Sequence, residues 1–66
     1  MKVRVDRQAD ALYIRLNDDP IVESEEVQPG VILDFSEQGL VVGFEMLELS
    51  KRMTPDEMQS IQFVTA

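Results

Sequence analysis

The side chains that could do chemistry in this chain are carboxylates, because the sequence contains neither cysteine nor histidine. Without those residues a Ser-His or Cys-His nucleophile cannot be assembled, and disulfides and the usual zinc ligands are also missing. No glycine-rich phosphate loop stands between a predicted strand and a predicted helix. We therefore predict no catalytic residues, no cofactor and no bound metal, and we expect a protein that is not an enzyme.

Asp34 and Glu45 form the candidate pair of carboxylates. In the strand pairing described below they are diagonal neighbours on one face of a hairpin, roughly 7 Å apart, which is close to the spacing that two acids need for general acid–base catalysis. In the other interpretation they are solvated or paired with basic residues, namely Arg15, Lys51 or Arg52, as structural carboxylates commonly are. An enzyme that binds a small molecule or a metal through this pair at a subunit interface is the alternative function.

A second acidic group comprises Glu23, Glu25 and Glu26. Their oxygens could ligate a hard cation, but the run lacks the regular spacing and the glycine of a calcium loop. Charged residues also protect an exposed sheet edge from pairing with stray strands. We interpret this run as such an edge.

Alternation of apolar and polar residues predicts five strands, near residues 2–6, 11–17, 21–27, 31–36 and 40–47. Pro29-Gly30 fits the centre of a type II turn, because proline presets φ and glycine supplies the positive φ that follows. We predict an α+β fold for a single domain of residues 1–66. It consists of a small antiparallel β-meander of four to five strands with one short C-terminal helix.

The register of the last hairpin follows from parity. A two-residue loop at Gln38-Gly39 aligns apolar residues with each other, in the pairs Phe35–Val42, Leu33–Phe44 and Val31–Met46. A three-residue loop would set Phe35 opposite Val41 and mix the two faces. With the two-residue loop, Val41 and Leu47 lie on the opposite face, so the fifth strand is apolar on both sides and needs a cover on each.

The C-terminal helix is predicted near residues 55–63. Thr54 and Glu57 have the spacing of a capping box, with Pro55 at the first helical position. A helix this short does not stand alone, so its apolar face must pack on the sheet or on a partner. The predicted interface residues are Val41, Leu47, Met58 and Ile61.

Size and charge limit the partners. A chain of 66 residues has a thin core. Without disulfides or metals, the support that remains is association with itself or with a partner, or unusually good packing. Of these we expect association, with a homodimer first. A net charge of −7 argues against binding to nucleic acid and to anionic membranes, but allows a basic protein partner. The chain has no apolar segment of membrane-spanning length, and we expect it in the cytoplasm.

Three stretches together resemble a known family, from Met1 to about Met53. It is similar to the small bacterial proteins grouped as domain of unknown function family 2283, and the stretches are Asp10–Leu16, Glu26-Val27 with Gly30–Phe35, and Gly39–Glu45 with Ser50–Arg52. The resemblance implies a compact β-meander with no assigned activity in bacteria and some archaea, sometimes encoded beside small toxin-like proteins. The resemblance leaves the function open. The net charge of −7, the fifth strand that is apolar on both faces and the absence of catalytic side chains lead us to expect a non-enzymatic, self-associating interaction module, antitoxin-like towards a basic partner.

Overall fold

The computed structural model describes all residues from 1 to 66. It contains one five-stranded antiparallel sheet, and its strands are β1 (Lys2–Asp6), β2 (Ala11–Arg15), β3 (Glu23–Gln28), β4 (Val31–Phe35) and β5 (Val41–Met46). A 3-10 turn (Leu49–Lys51) and a four-residue helix, α1 (Pro55–Met58), follow the sheet. The predicted antiparallel sheet is confirmed. None of the helical segments is long and apolar enough to cross a membrane.

The strand order is β1-β2-β5-β4-β3, so only β3, β4 and β5 form a meander. The prediction of a meander throughout was wrong because parity determines which face a residue occupies but not which strands are neighbours. β5 is rich in apolar residues and takes the central position, with β2 and β4 as its two neighbours. β3 is exposed along its whole length and lies at the outer edge, as its charges predicted.

The β4–β5 hairpin keeps two of the three predicted pairs, Leu33–Phe44 and Val31–Met46. Phe35 pairs with Val41 instead of Val42, because the register shifts between Asp34 and Phe35. Gly39 has a φ of +80°, and its N–H donates to the carbonyl oxygen of Ser36. The backbone N–H of Ser36 donates to the carbonyl oxygen of Leu40. This is the geometry of a three-residue turn, so the prediction of a two-residue loop at Gln38-Gly39 was wrong. A bulge near Val42 then restores the apolar alignment, which an argument from parity alone could not foresee.

The C-terminal helix is shorter than predicted, ending at Met58 instead of near residue 63. The capping box itself is present: Thr54 N donates to Glu57 Oε1 at 2.8 Å, and Glu57 N donates to Thr54 Oγ1 at 3.2 Å. The following residues include β-branched Ile61, Val64 and Thr65, which are poor helix formers, and they have no regular structure. The fold is therefore largely β.

The core is thin. Only six residues are buried, and they are Ala11, Asp34, Ser36, Val42, Gly43 and Leu49. The molecule measures 37 × 31 × 20 Å, and its short axis is about that of one sheet with a partial second layer. Much of the apolar side of the sheet is consequently only half covered.

Candidate functional site

The polar face of the sheet carries a buried carboxylate, Asp34, which is only 8% exposed. It stands between Ser24 on β3 and Gly43 on β5, its partners in the two adjacent strands. Ser24 Oγ donates to Asp34 Oδ1 at 2.6 Å, and Tyr13 Oη donates to Asp34 Oδ2 at 3.2 Å. Both carboxylate oxygens therefore have a hydroxyl donor.

Gly43 makes the bond from Tyr13 to Asp34 possible. A Cβ atom at this position would lie 3.2 Å from Asp34 Oδ2, 3.2 Å from the carbonyl oxygen of Ile14 and 3.3 Å from Tyr13 Oη. Tyr13 belongs to β2 and Asp34 to β4, with β5 between them. The hydroxyl of Tyr13 therefore reaches across β5, and it does so at Gly43, which has no side chain in the way. The glycine thus serves a close approach of side chains, a role that glycine commonly has in strands.

Glu45 lies on the same face as Asp34, opposite Tyr13 on β2 and Ile32 on β4. It lines a shallow pocket of about 210 Å³ together with Arg4, Asp6, Ala9, Ala11 and Tyr13, and Asp34 is outside that set. The two candidate carboxylates therefore share a face but not a pocket.

The three basic residues that the sequence offers as partners for Asp34 and Glu45 form their hydrogen bonds and ion pair with other groups. Arg15 donates to the carbonyl oxygens of Asn17 and Asp19. Lys51 pairs with Glu48 at 3.2 Å, and Arg52 Nη2 donates to the carbonyl oxygen of Pro29 at 3.4 Å. Asp34 is held by neutral hydroxyl groups instead of by a cation.

The acidic run on β3 does not converge on a point. Glu23 and Glu25 pair with Phe35 and Leu33, whereas Glu26 pairs with Ile32 and points to the other face. No group of three or more acidic side chains is arranged to hold a metal ion.

The opposite face of the sheet contains an apolar groove of about 360 Å³. Its floor is β1 and β2, and its wall is the segment after β5. The lining residues are Met1, Val3, Val5, Leu12, Ile14, Leu49, Met53, Glu57, Met58, Ser60, Ile61 and Phe63. Side chains on its rim remain in water: Ile61 is 64% exposed and Phe63 is 75% exposed.

The segment that forms the wall is attached to the sheet by Asp10. Asp10 Oδ1 accepts from Ser50 N at 2.9 Å, and Asp10 Oδ2 accepts from Ser50 Oγ at 2.7 Å. The carbonyl oxygen of Asp10 also accepts from Leu49 N at 2.9 Å. This clamp holds Leu49, which is 1% exposed, against the sheet at the inner end of the groove.

The predicted interface residues separate into two pairs. Met58 and Ile61 both line the groove, whereas Val41 and Leu47 do not. Val41 is partly exposed on the central strand, and Leu47 is half-buried, with its N–H donating to the carbonyl oxygen of Gly30 at 2.8 Å. The groove residues of β1 and β2 were not predicted as an interface, although Val3, Val5, Leu12 and Ile14 alternate with polar residues and so mark one apolar face.

Comparison with known proteins places the sequence in a family. No curated protein and no solved structure matches the chain. The sequence model of the family described as protein of unknown function, DUF2283, matches residues 2–50. That range contains all five strands and both ends of the Asp10–Ser50 clamp, whereas α1 lies outside it. The chain belongs to the DUF2283 family.

Proposed function

We propose that the protein is a non-enzymatic interaction module that associates with itself. The observation that carries the proposal is the open groove, where apolar side chains of β1, β2 and the C-terminal segment face water beside one another. Burial of apolar surface stabilises a folded protein or a complex by about 25 cal/mol per Å². A domain of 66 residues buries a smaller fraction of its surface than a larger domain does, so its own core contributes little net stability. Association that covers the groove supplies stability that the isolated chain lacks.

The polar face supports an enzyme less well. Both oxygens of Asp34 accept hydrogen bonds from hydroxyl groups. Asp34 does not line the shallow pocket to which Glu45 contributes, so the two carboxylates of the proposed pair do not face the same space. General acid–base catalysis requires two groups that reach the same reacting atoms. The Asp34–Glu45 pair therefore remains the weaker proposal, tested by ligand-induced melting shifts in the Asp34→Asn and Glu45→Gln variants.

Self-association is tested by light scattering and sedimentation over micromolar concentrations. We expect a mass above the 7.5 kDa of one chain, falling on dilution. Ile61→Asp places a charge on the rim of the groove and should shift the equilibrium towards the monomer. Val64→Asp is the matched control, because Val64 is exposed in the same segment but does not line the groove. A wild-type protein that is monomeric at every concentration contradicts the proposal.

The proposal extends to a basic protein partner, as an antitoxin-like protein would have. Its support is the net charge of −7 and the exposed acidic strand β3. The test compares the wild type with a variant in which Glu23, Glu25 and Glu26 are replaced by glutamine. A basic protein from the native host should bind the wild type, with affinity that decreases as salt increases, and should bind the variant more weakly. Equal binding by both proteins excludes this strand as the docking site.

A further inference from the structure

The two edges of the sheet differ in how well they are protected. β3 carries three glutamates and a register shift between Glu26 and Gln28, and both devices discourage pairing with another strand. β1 carries charges of both signs, at Lys2, Arg4 and Asp6, which can pair with those of a second copy. It has no bulge, and it pairs only with β2. Its outer row of backbone N–H and C=O groups is therefore a free template for another strand.

We propose that two copies of this chain associate by antiparallel pairing of their β1 strands, with Arg4 of each copy at the two-fold axis. The inference rests on the proposed self-association and names its surface. In this register Val3 lies opposite the second copy's Val5, and Lys2 lies opposite its Asp6. The sequence Lys-Val-Arg-Val-Asp is symmetric in its apolar positions and opposite in charge at its ends, so one strand complements its own copy.

Each face of the sheet tolerates this pairing. Val3 and Val5 both line the groove and lie on the apolar face, and a two-fold axis through an antiparallel strand pair is perpendicular to the sheet. The two grooves thus meet on the same side, with valine beside valine. On the polar face the two Lys2–Asp6 contacts are pairs of opposite charge, which stabilise adjacent strands. The two Arg4 side chains bring like charges together at the axis, and the Asp6 of the same strand, 3.8 Å from each guanidinium group, offsets that repulsion.

The other edge pairings fit less well. Glu23 and Glu25 pair with Phe35 and Leu33, so joining β3 to β1 of another copy would place these carboxylates beside the valines. Burial of an unpaired carboxylate is costly. Such a head-to-tail contact also leaves one β1 and one β3 edge free in a dimer, so it continues into a ring or an open chain instead of stopping at two copies. Pairing of β3 with itself would bring glutamates together, and β3 has no basic residue to offset their repulsion, unlike β1.

The test uses single cysteines, since the chain has none of its own. In Arg4→Cys the two thiols meet at the axis, where opposed Cα atoms in an antiparallel pair are about 4.5–5.5 Å apart, within the range of a disulfide. We expect mild oxidation to convert this variant into a covalent dimer that reductant reverses. Glu25→Cys on the other edge strand is the matched control for random collision, and its dimeric fraction should be smaller at every time point.

The outcomes separate the inference from the proposed function. A wild-type protein that remains monomeric in light scattering overturns both. Wild-type dimers together with an Arg4→Cys variant that cross-links no faster than Glu25→Cys overturn only the β1 pairing. Preferential formation of a mixed disulfide between Arg4→Cys and Glu25→Cys shows head-to-tail contact and also overturns it. Efficient cross-linking of equimolar Val3→Cys and Val5→Cys proteins, in preference to either one alone, supports the register.

Discussion

Tyr13 and Asp34 are joined by a hydrogen bond that spans the central strand, with 3.2 Å between Tyr13 Oη and Asp34 Oδ2. The bond links β2 to β4 although neither strand is hydrogen-bonded to the other through its backbone. It also provides a donor for a carboxylate that is almost fully buried, where an unsatisfied polar group would be costly. On the polar face, this side-chain hydrogen bond therefore adds to the backbone hydrogen bonds that hold the strands together.

Gly43→Ala should weaken this link. The added methyl would lie 3.2–3.3 Å from Asp34, Tyr13 and the backbone of Ile14, and the backbone oxygen cannot move aside easily. Overpacking of this kind costs about 1–3 kcal/mol, to be measured by urea denaturation. In a Tyr13→Phe background one of the three contacts is removed, so Gly43→Ala should cost less there than in the wild type. Equal costs in both backgrounds would show that Tyr13 is not coupled to Gly43.

Ser24→Ala should destabilise the protein by about 1–2 kcal/mol, because hydrogen bonds to charged groups contribute more than neutral ones. Ser24 Oγ lies 2.6 Å from Asp34 Oδ1, and its removal leaves that oxygen without its donor. Ser60→Ala is the control, since Ser60 is exposed like Ser24 but its hydroxyl donates to no buried carboxylate, and such substitutions usually change stability by less than about 0.5 kcal/mol. Thermal or urea unfolding that does not distinguish the two variants would contradict a stabilising role for the Ser24 hydroxyl.

Local sequence patterns predicted those features that depend on a few adjacent residues. The bounds of β1, the positive φ of Gly30 and the capping box of Thr54 all follow from residues within about four positions of one another. The assignment of β3 to an edge likewise needed only its own charges.

Features that depend on which strands are neighbours were not predictable in the same way. The contact between Tyr13 and Asp34 requires β5 to lie between β2 and β4, and alternation carries no information about that order. The groove similarly needs the 3-10 turn to return to Asp10, 40 positions earlier in the chain. The predicted helix was too long because the capping box predicts where a helix begins, whereas its length depends on burial of an apolar face, and residues 59–66 are all exposed.

Asp10→Ala should loosen the wall of the groove. It removes the acceptors of Ser50 N and Ser50 Oγ, and it places alanine at a φ of +52°, which asparagine and aspartate tolerate better. We expect a loss of about 1–3 kcal/mol in urea denaturation. Asp10→Asn is the matched control: its oxygen can accept from Ser50 N, its amide can donate to Ser50 Oγ, and its stability should remain closer to that of the wild type.

Leu49 provides a second readout of the same clamp. It is 1% exposed, and hydrogen exchange at its amide, which donates to the carbonyl oxygen of Asp10, should be faster in Asp10→Ala than in Asp10→Asn. Equal exchange rates in the two variants would mean that the side chain of Asp10 does not hold the 3-10 turn.

The stability of the first turn of α1 should depend on pH, because Glu57 titrates in the acidic range and caps this turn. Its pKa is lowered from the ordinary 4.5, first because the backbone N–H of Thr54 donates to the carboxylate and second because of its hydrogen bond with the Thr54 side chain. A group whose pKa is lower in the folded state stabilises that state above the unfolded pKa, and the contribution is lost as pH falls through the folded value. The capping contribution should therefore be complete at neutral pH and disappear below pH 4.5.

The measurement is the chemical shift and the exchange rate of the Thr54 amide between neutral and acidic pH. In the wild type the amide should lose protection with an apparent pKa below 4.5. Glu57→Gln keeps an acceptor at the same position without a titrating group, so its Thr54 amide should not show this transition. Because Glu57 lies on the surface in a four-residue helix, the global unfolding curve should change little while the local signal changes. A wild-type transition at or above the ordinary pKa would contradict the capping interaction.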